Sequence, residues 1–297
     1  MEETIINQIE AALHPKREKL NKFQMVFFIV FIFSLLLTLV DYRALFGLVP
    51  INLIFVGIIG YQRGNFRTEA KTIILNQVLA TYFDDITYSP NQGLSQTVLR
   101  NTELYDMGNE FSANDLIIGK YQGIEFATSD IHLVQVTQND KTTTRTTLFK
   151  GQWYIFDFFK NFNGYIQIRD KERSLLKRNF KPVAFFSVHP KTKRILMDHP
   201  DFNRVFDVYT SDNTEAFYIL TPHFMDALLR LNDIANCEVI VGFVDNRLHV
   251  LLNNQRNAFE INVFQTFNLE KYQYLQAESE IIIELIDILK LETDLFK

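Results

Sequence analysis

The chain has 297 residues, 47% of them hydrophobic, with 30 basic against 35 acidic side chains and a formal net charge of −5. That balance lacks the basic footprint that general nucleic-acid binding needs. A single cysteine, Cys237, excludes a disulfide within the chain and agrees with a reducing compartment.

Residues 1–22 open with MEETIINQIEAALH, where Ile5, Ile9, Ala12 and Leu13 recur at helical spacing with acids between them. This predicts a short cytoplasmic amphipathic helix that packs on another helix, since acids on the polar face disfavour lying on a membrane. Two apolar runs follow, Phe23 to Val40 and Ala44 to Tyr61, each 18 residues long, free of charge and separated only by Asp41, Tyr42 and Arg43. As helices each is about 27 Å long, close to the hydrocarbon thickness of a bilayer. A soluble helix normally keeps a polar face, whereas backbone in lipid must satisfy its own hydrogen bonds. The pattern therefore reads as a transmembrane hairpin over 23–61. A cleaved signal peptide fits poorly, because the lead is long and acidic, no small-x-small site follows Val40, and a second span begins at once.

Lys16, Arg17, Lys19 and Lys22 precede the first run, Arg63, Arg67 and Lys71 follow the second, and the turn has only Arg43. The bias places both termini in the cytoplasm, and these seven flanking residues are candidates for contact with anionic lipid. Ser34 and Asn52 fall at similar depth, which predicts an interhelical hydrogen bond worth about 1 kcal/mol rather than a step in a conduction path.

A linking helix is expected over 62–83, with Leu75, Val78, Leu79 and Tyr82 on one face and Asp84-Asp85 at its end. Turn chemistry from Tyr88 to Gly93 opens a main cytoplasmic domain, 84–268. From Asn109 to Ile168 the reading is β, with turns at Tyr121–Gly123, Asn139–Lys141 and Asn161–Gly164, and the two long arms around Asp140 forming an antiparallel hairpin. Residues 169–194 carry nine basic side chains and two acids; Lys177, Arg178 and Lys181 join the candidates for anionic headgroups. RVFDVYT is a strand, Glu215 to Leu220 a further short strand, and Thr221-Pro222 an N-cap and first helical residue of a helix burying Phe224, Leu228 and Leu231. CEVIVGFVDNRLHVLLNN reads as two strands about Asp245-Asn246, and AFEINVF as a last strand. A long helix fills 269–297, with Ile282, Leu285, Ile286, Leu289 and Phe296 on one face; the helix at 68–83, the N-terminal helix or the same helix of a second subunit would cover it. The fold class is α+β: a two-helix membrane hairpin plus a mainly antiparallel β domain with flanking helices.

The six histidines stand at no metal-ligand spacing, and there is no P-loop or GxSxG nucleophile elbow. His132 and His249 lie in strand-like runs, and Cys237 and Trp153 read as core. No catalytic, cofactor-binding or metal residue is assigned, and no cofactor is expected.

The stretches FDVYTSDNTEAFYILTPHFMDALLRL from Phe206, NEFSANDLIIGKYQGIEFATSDIHL from Asn109 and LFKGQWYIFDFFKNFNGYIQI from Leu148 resemble a bacterial family catalogued as domain of unknown function 3137. The resemblance spans residues 5–265 and is silent after Leu269. It implies a multi-pass bacterial inner-membrane protein that begins with two closely spaced spans, and it carries no functional residue. The expected function is a membrane-anchored binding or scaffold module, whose partners are the bilayer, another membrane or cytoplasmic protein, and a second copy through the C-terminal helix. An enzyme acting on a membrane-associated substrate and an oligomeric channel or transporter subunit stand as alternatives.

Overall fold

A computed structural model describes residues 2–40, 43, 45–139, 142–157, 164–171 and 189–294. The chain divides into two compact units, Met1–Val78 with Ile261–Leu275, and Leu79–Glu260 with Gln276–Lys297.

The first unit is built on α1 (Glu2–Val40) and α2 (Leu45–Leu79). Both run longer than the sequence pattern indicates: the amphipathic lead and the first apolar run form one helix, as do the second run and the linking helix. Pro15 and Pro50 lie inside these helices. Each proline removes one backbone donor, and neither ends its helix. The helices pack antiparallel, with Phe27 against Phe55 at 5.9 Å between ring centroids and Lys16 paired with Glu69.

Burial inverts along the pair. Ile9, Leu13 and Leu20 on α1 and Phe66, Ala70, Ile74, Leu75 and Val78 on α2 are buried, yet between them Phe28 is 61% and Phe46 84% exposed. Each helix holds a stretch long and apolar enough to cross a membrane, and those stretches are 6% and 0% buried. The segment Ile261–Leu275 completes this unit with buried Ile261, Val263, Phe267, Tyr272 and Leu275. AFEINVF is not a strand here. Its backbone bonds include ones to side chains: the Ala258 N–H donates to Asp130 and the Val263 carbonyl accepts from Arg17; just beyond it the Gln265 carbonyl also accepts from Arg17 and the Phe267 N–H donates to Glu10 at 2.5 Å.

Among the described residues the second unit is a nine-stranded antiparallel sheet in the order β1-β2-β3-β4-β9-β8-β5-β7-β6. Its strands are β1 (Asp84–Ser89), β2 (Glu110–Tyr121), β3 (Ile124–Asn139), β4 (Thr142–Asp157), β5 (Ile166–Asp170), β6 (Lys193–Ile195), β7 (Phe206–Thr210), β8 (Glu238–Val244) and β9 (Arg247–Asn253). Gln122 and Gly123 have φ of 48° and 87°, the left-handed pair that a tight β2–β3 hairpin requires. β3 and β4 pair from Phe126↔Phe156 to Asn139↔Thr142.

The helices of this unit are α3 (Gln96–Asn101), α4 (Pro200–Val205), α5 (Asn213–Ile219), α6 (Pro222–Ala235) and most of α7 (Leu269–Asp294). Two sequence expectations fail here. Asp84 and Asp85 begin an edge strand rather than end a helix, because α2 stops at Leu79, whose carbonyl accepts from the N–H groups of Tyr82 and Phe83. Glu215 to Leu220 is helical, because Asp212 caps α5 by accepting from Thr214 and Glu215 N–H. Ala216 and Ile219, three apart, then form its buried face.

Both faces of the sheet are covered. On one, Leu99, Leu104, Tyr105 and Met107 join a core with Phe149, Trp153, Ile155, Ile240 and Leu251. Gly242 admits this layer, since a Cβ there would stand 2.2 Å from Leu104 Cδ2. The neighbouring Phe243 points to the opposite face, where Phe224 of α6 packs at 5.5 Å. Thr221 caps α6 with Pro222 behind it, and Phe224, Leu228 and Leu231 are buried.

Candidate functional site

Ser34, Thr38 and Asn52 meet in a groove of about 270 Å³ between α1 and α2, whose walls are otherwise Phe31, Leu35, Leu48, Val49, Leu53 and Val56. Helical spacing brings Leu48, Asn52 and Val56 to one face of α2. Asn52 Nδ2 donates to Ser34 Oγ at 2.8 Å and to the Leu48 carbonyl at 3.0 Å. Ser34 in turn donates to the Phe31 carbonyl and Thr38 to that of Leu35. Only Asn52 Oδ1 is left without a partner. The site is an apolar crevice with one pinned polar pair: it suits alkyl chains or another helix, and offers no acid or base.

The basic flank is largely committed to protein partners. Arg17 holds Glu10 through both Nη atoms, at 3.0 and 3.2 Å, besides its two carbonyl contacts. Lys71 is only 5% exposed. Arg63 lies over the Phe264 ring at 4.7 Å, Lys16 pairs with Glu69, and Lys22 reaches Glu18 at 2.6 Å. Arg67 and Lys19 are exposed. Burial would raise the Glu10 pKa, but hydrogen bonds from Arg17 and Phe267, with the charges of Arg17 and Lys271, bring it below the ordinary 4.5.

Lys177, Arg178 and Lys181 lie outside the described residues. At the borders of their segment, Arg169 is buried in β5, and Lys171 and Arg194 converge on Asp207, at 3.0 and 2.6 Å. Lys191 and Lys193 are exposed.

The titratable groups of the sheet are spent on structure. Trp153 Nε1 donates to His249 Nδ1 at 3.2 Å, which places the imidazole proton on Nε2. Burial, then the charge of Arg247, lowers His249 to about 4. Gln152 donates to Asp130 and to the Arg256 carbonyl, while Arg256 grips the buried Glu278 of α7 with both Nη atoms. His199 caps α4 through Nδ1 and meets Asp226 at 2.9 Å through Nε2. Sequence spacing had no signal for these pairs, whose members lie up to 104 residues apart. Among the described residues no three His, Cys, Asp or Glu side chains group to hold a metal.

Residues 147–291 match the family described as "Protein of unknown function (DUF3137)". The match covers just under half of the chain. The match is narrower at its start than the resemblance over 5–265, since it opens in β4 and leaves the α1–α2 pair and β1–β3 outside. It also runs on through most of α7, where the resemblance is silent. No curated protein matches the chain. One solved structure is similar, the crystal structure of the mycobacterial trehalose monomycolate transport factor A, TtfA. It has a TM-score of 0.36 and 11% identity over 72% of this chain and 92% of that one. A likeness at that level carries no argument about function.

Proposed function

We propose that the protein is a membrane-anchored binding or scaffold module: α1 and α2 cross a bilayer as a two-pass hairpin, and both termini and the β-sheet unit lie in the cytoplasm of a bacterial cell. One observation carries the anchor. The same two helices bury their apolar side chains at Ile9–Leu20 and Phe66–Val78 and leave them bare between. So large an apolar surface is unfavourable in water and natural in lipid. Bonds within the hairpin consume every polar side-chain atom of the groove except Asn52 Oδ1, as a structural pin in hydrocarbon requires. The module reading is supported by the sheet, where His249, Glu278 and Arg256 are tied into the scaffold.

Alkaline carbonate extraction of cell membranes tests the anchor. The protein stays in the pellet if the hairpin crosses the bilayer; release into the supernatant would sink the reading.

A further inference from the structure

We propose that the open edge of β4, residues 142–147, pairs with the same edge of a second copy of the chain; this rests on the anchor reading above. β2 accompanies β3 only as far as Glu110↔Val134, and β9 accompanies β4 only from Gln152↔Leu252. Beyond those limits β3 and β4 run on as a two-stranded ribbon, from Gln135↔Thr146 to Asn139↔Thr142. Such a ribbon is marginally stable alone in water.

Hydrogen bonds on its β3 side fix where the β4 backbone points. The Asn109 N–H donates to the Val134 carbonyl, and the Asn109 side chain exchanges two bonds with the Val136 backbone. Val134 and Val136 thus turn their backbone groups away from β4, so their partners Thr147 and Arg145 turn theirs to the open side. Thr143 follows by alternation. Further along that side, Tyr105 Oη donates to the Leu148 carbonyl, and the Lys150 backbone bonds to Asn253 and Gln255. Among the described residues no strand covers 142–147, and Thr143, Arg145 and Thr147 are exposed.

The two ends of the sheet are guarded against pairing: β1 opens with Asp84-Asp85, and β6 is three residues with Lys193 and Arg194. Segment 142–147 lacks both devices. Five of its six residues are threonine, a strong strand former. Its one charge, Arg145, donates to both carboxylate oxygens of Glu110. Lys150 adds a cation at the inner end, and Asp140 and Lys141, outside the described residues, offset each other at the tip.

This edge is complementary to itself. In an antiparallel pair centred on Thr144 or Thr146, each Arg145 meets a threonine of the other copy, and the axis carries a favourable Thr–Thr pair. Centring on Arg145 would oppose two cations. Six edge residues bury far less than the roughly 1,200 Å² of a stable interface between free proteins, so the occupant must be held nearby. A second copy anchored in the same membrane meets that condition and presents the same edge.

The test uses the full chain in proteoliposomes, with Cys237→Ala as background and single cysteines at Thr144→Cys, Thr146→Cys or Thr137→Cys. In the paired edge Thr144 or Thr146 meets its counterpart at about 4.5 Å between Cα atoms, within disulfide range. Thr137 is exposed too, but lies across the ribbon on β3. Mild oxidation should give a disulfide-linked dimer at 144 or 146 and several-fold less at 137. Adding Arg145→Pro should abolish the cross-link with an unchanged circular dichroism spectrum, since that N–H faces the open side rather than β3. Equal cross-linking at all three positions, or none at 144 and 146 in chains that resist carbonate extraction, overturns the pairing and leaves the anchor standing. So does a cross-link from 144 or 146 to a different protein in native membranes, without a dimer. Release of the chain by carbonate overturns the anchor, and the pairing with it.

Discussion

Three side chains have consequences that bench measurements can reach. His249 is the first. Its folded-state pKa of about 4 lies below the ordinary 6.5 because burial opposes the charged form. The unfolded chain therefore takes up the proton first as pH falls. Stability is whole above pH 6.5 and declines towards pH 4, by roughly 3 kcal/mol in all. His249→Gln should flatten that slope in denaturant titrations at a series of pH values; an unchanged slope would contradict the assignment. Glu10 acts in a lower window: its pKa is depressed below 4.5, so its contribution is present above that value and is lost as pH falls further. Arg17 holds both Glu10 and the carbonyls of Val263 and Gln265. Arg17→Ala should expose residues 261–268 to faster amide exchange; unaltered protection would contradict the clamp. Asn52→Leu should cost about 1 kcal/mol of hairpin stability, read by unfolding in detergent, and a neutral or stabilising result would show that the pin has no net value.

At the scale of elements, legibility followed how local each signal was. The α6 start is written in Thr221-Pro222, the β8–β9 hairpin in Asp245-Asn246, and the β2–β3 turn in Gln122-Gly123, each a short-range pattern with one physical reading. α5 was misread because Glu215–Leu220 has a strand-like composition, and the capping carboxylate of Asp212 decides it. Asp212→Ala should destabilise the domain by about 1 kcal/mol, measured by chemical denaturation, and no change would mean that packing of Ala216 and Ile219 alone holds the helix. AFEINVF was misread for the opposite reason. Its apolar residues are buried as a strand's would be, but its backbone bonds go to distant side chains, the Val263 carbonyl to Arg17 and the Ala258 N–H to Asp130. The short elements α3, α4 and β6 are too brief to show a period.

For the whole molecule, the hairpin was legible from two runs of apolar residues, and the structure adds what a run of letters lacks: where that surface is bare and where it is covered. The polar pair Ser34–Asn52 was legible as well, since two lone polar residues in apolar runs have few other partners. The pairs that lock the sheet, Arg256 with Glu278 and Trp153 with His249, were not, because topology alone brings them together. Reporter fusions at each terminus, scored for translocation across the membrane, are the most direct measurement of the anchor and its orientation. Both fusions should report cytoplasm; a translocated C-terminal reporter would contradict a two-pass hairpin with the β-sheet unit inside the cell.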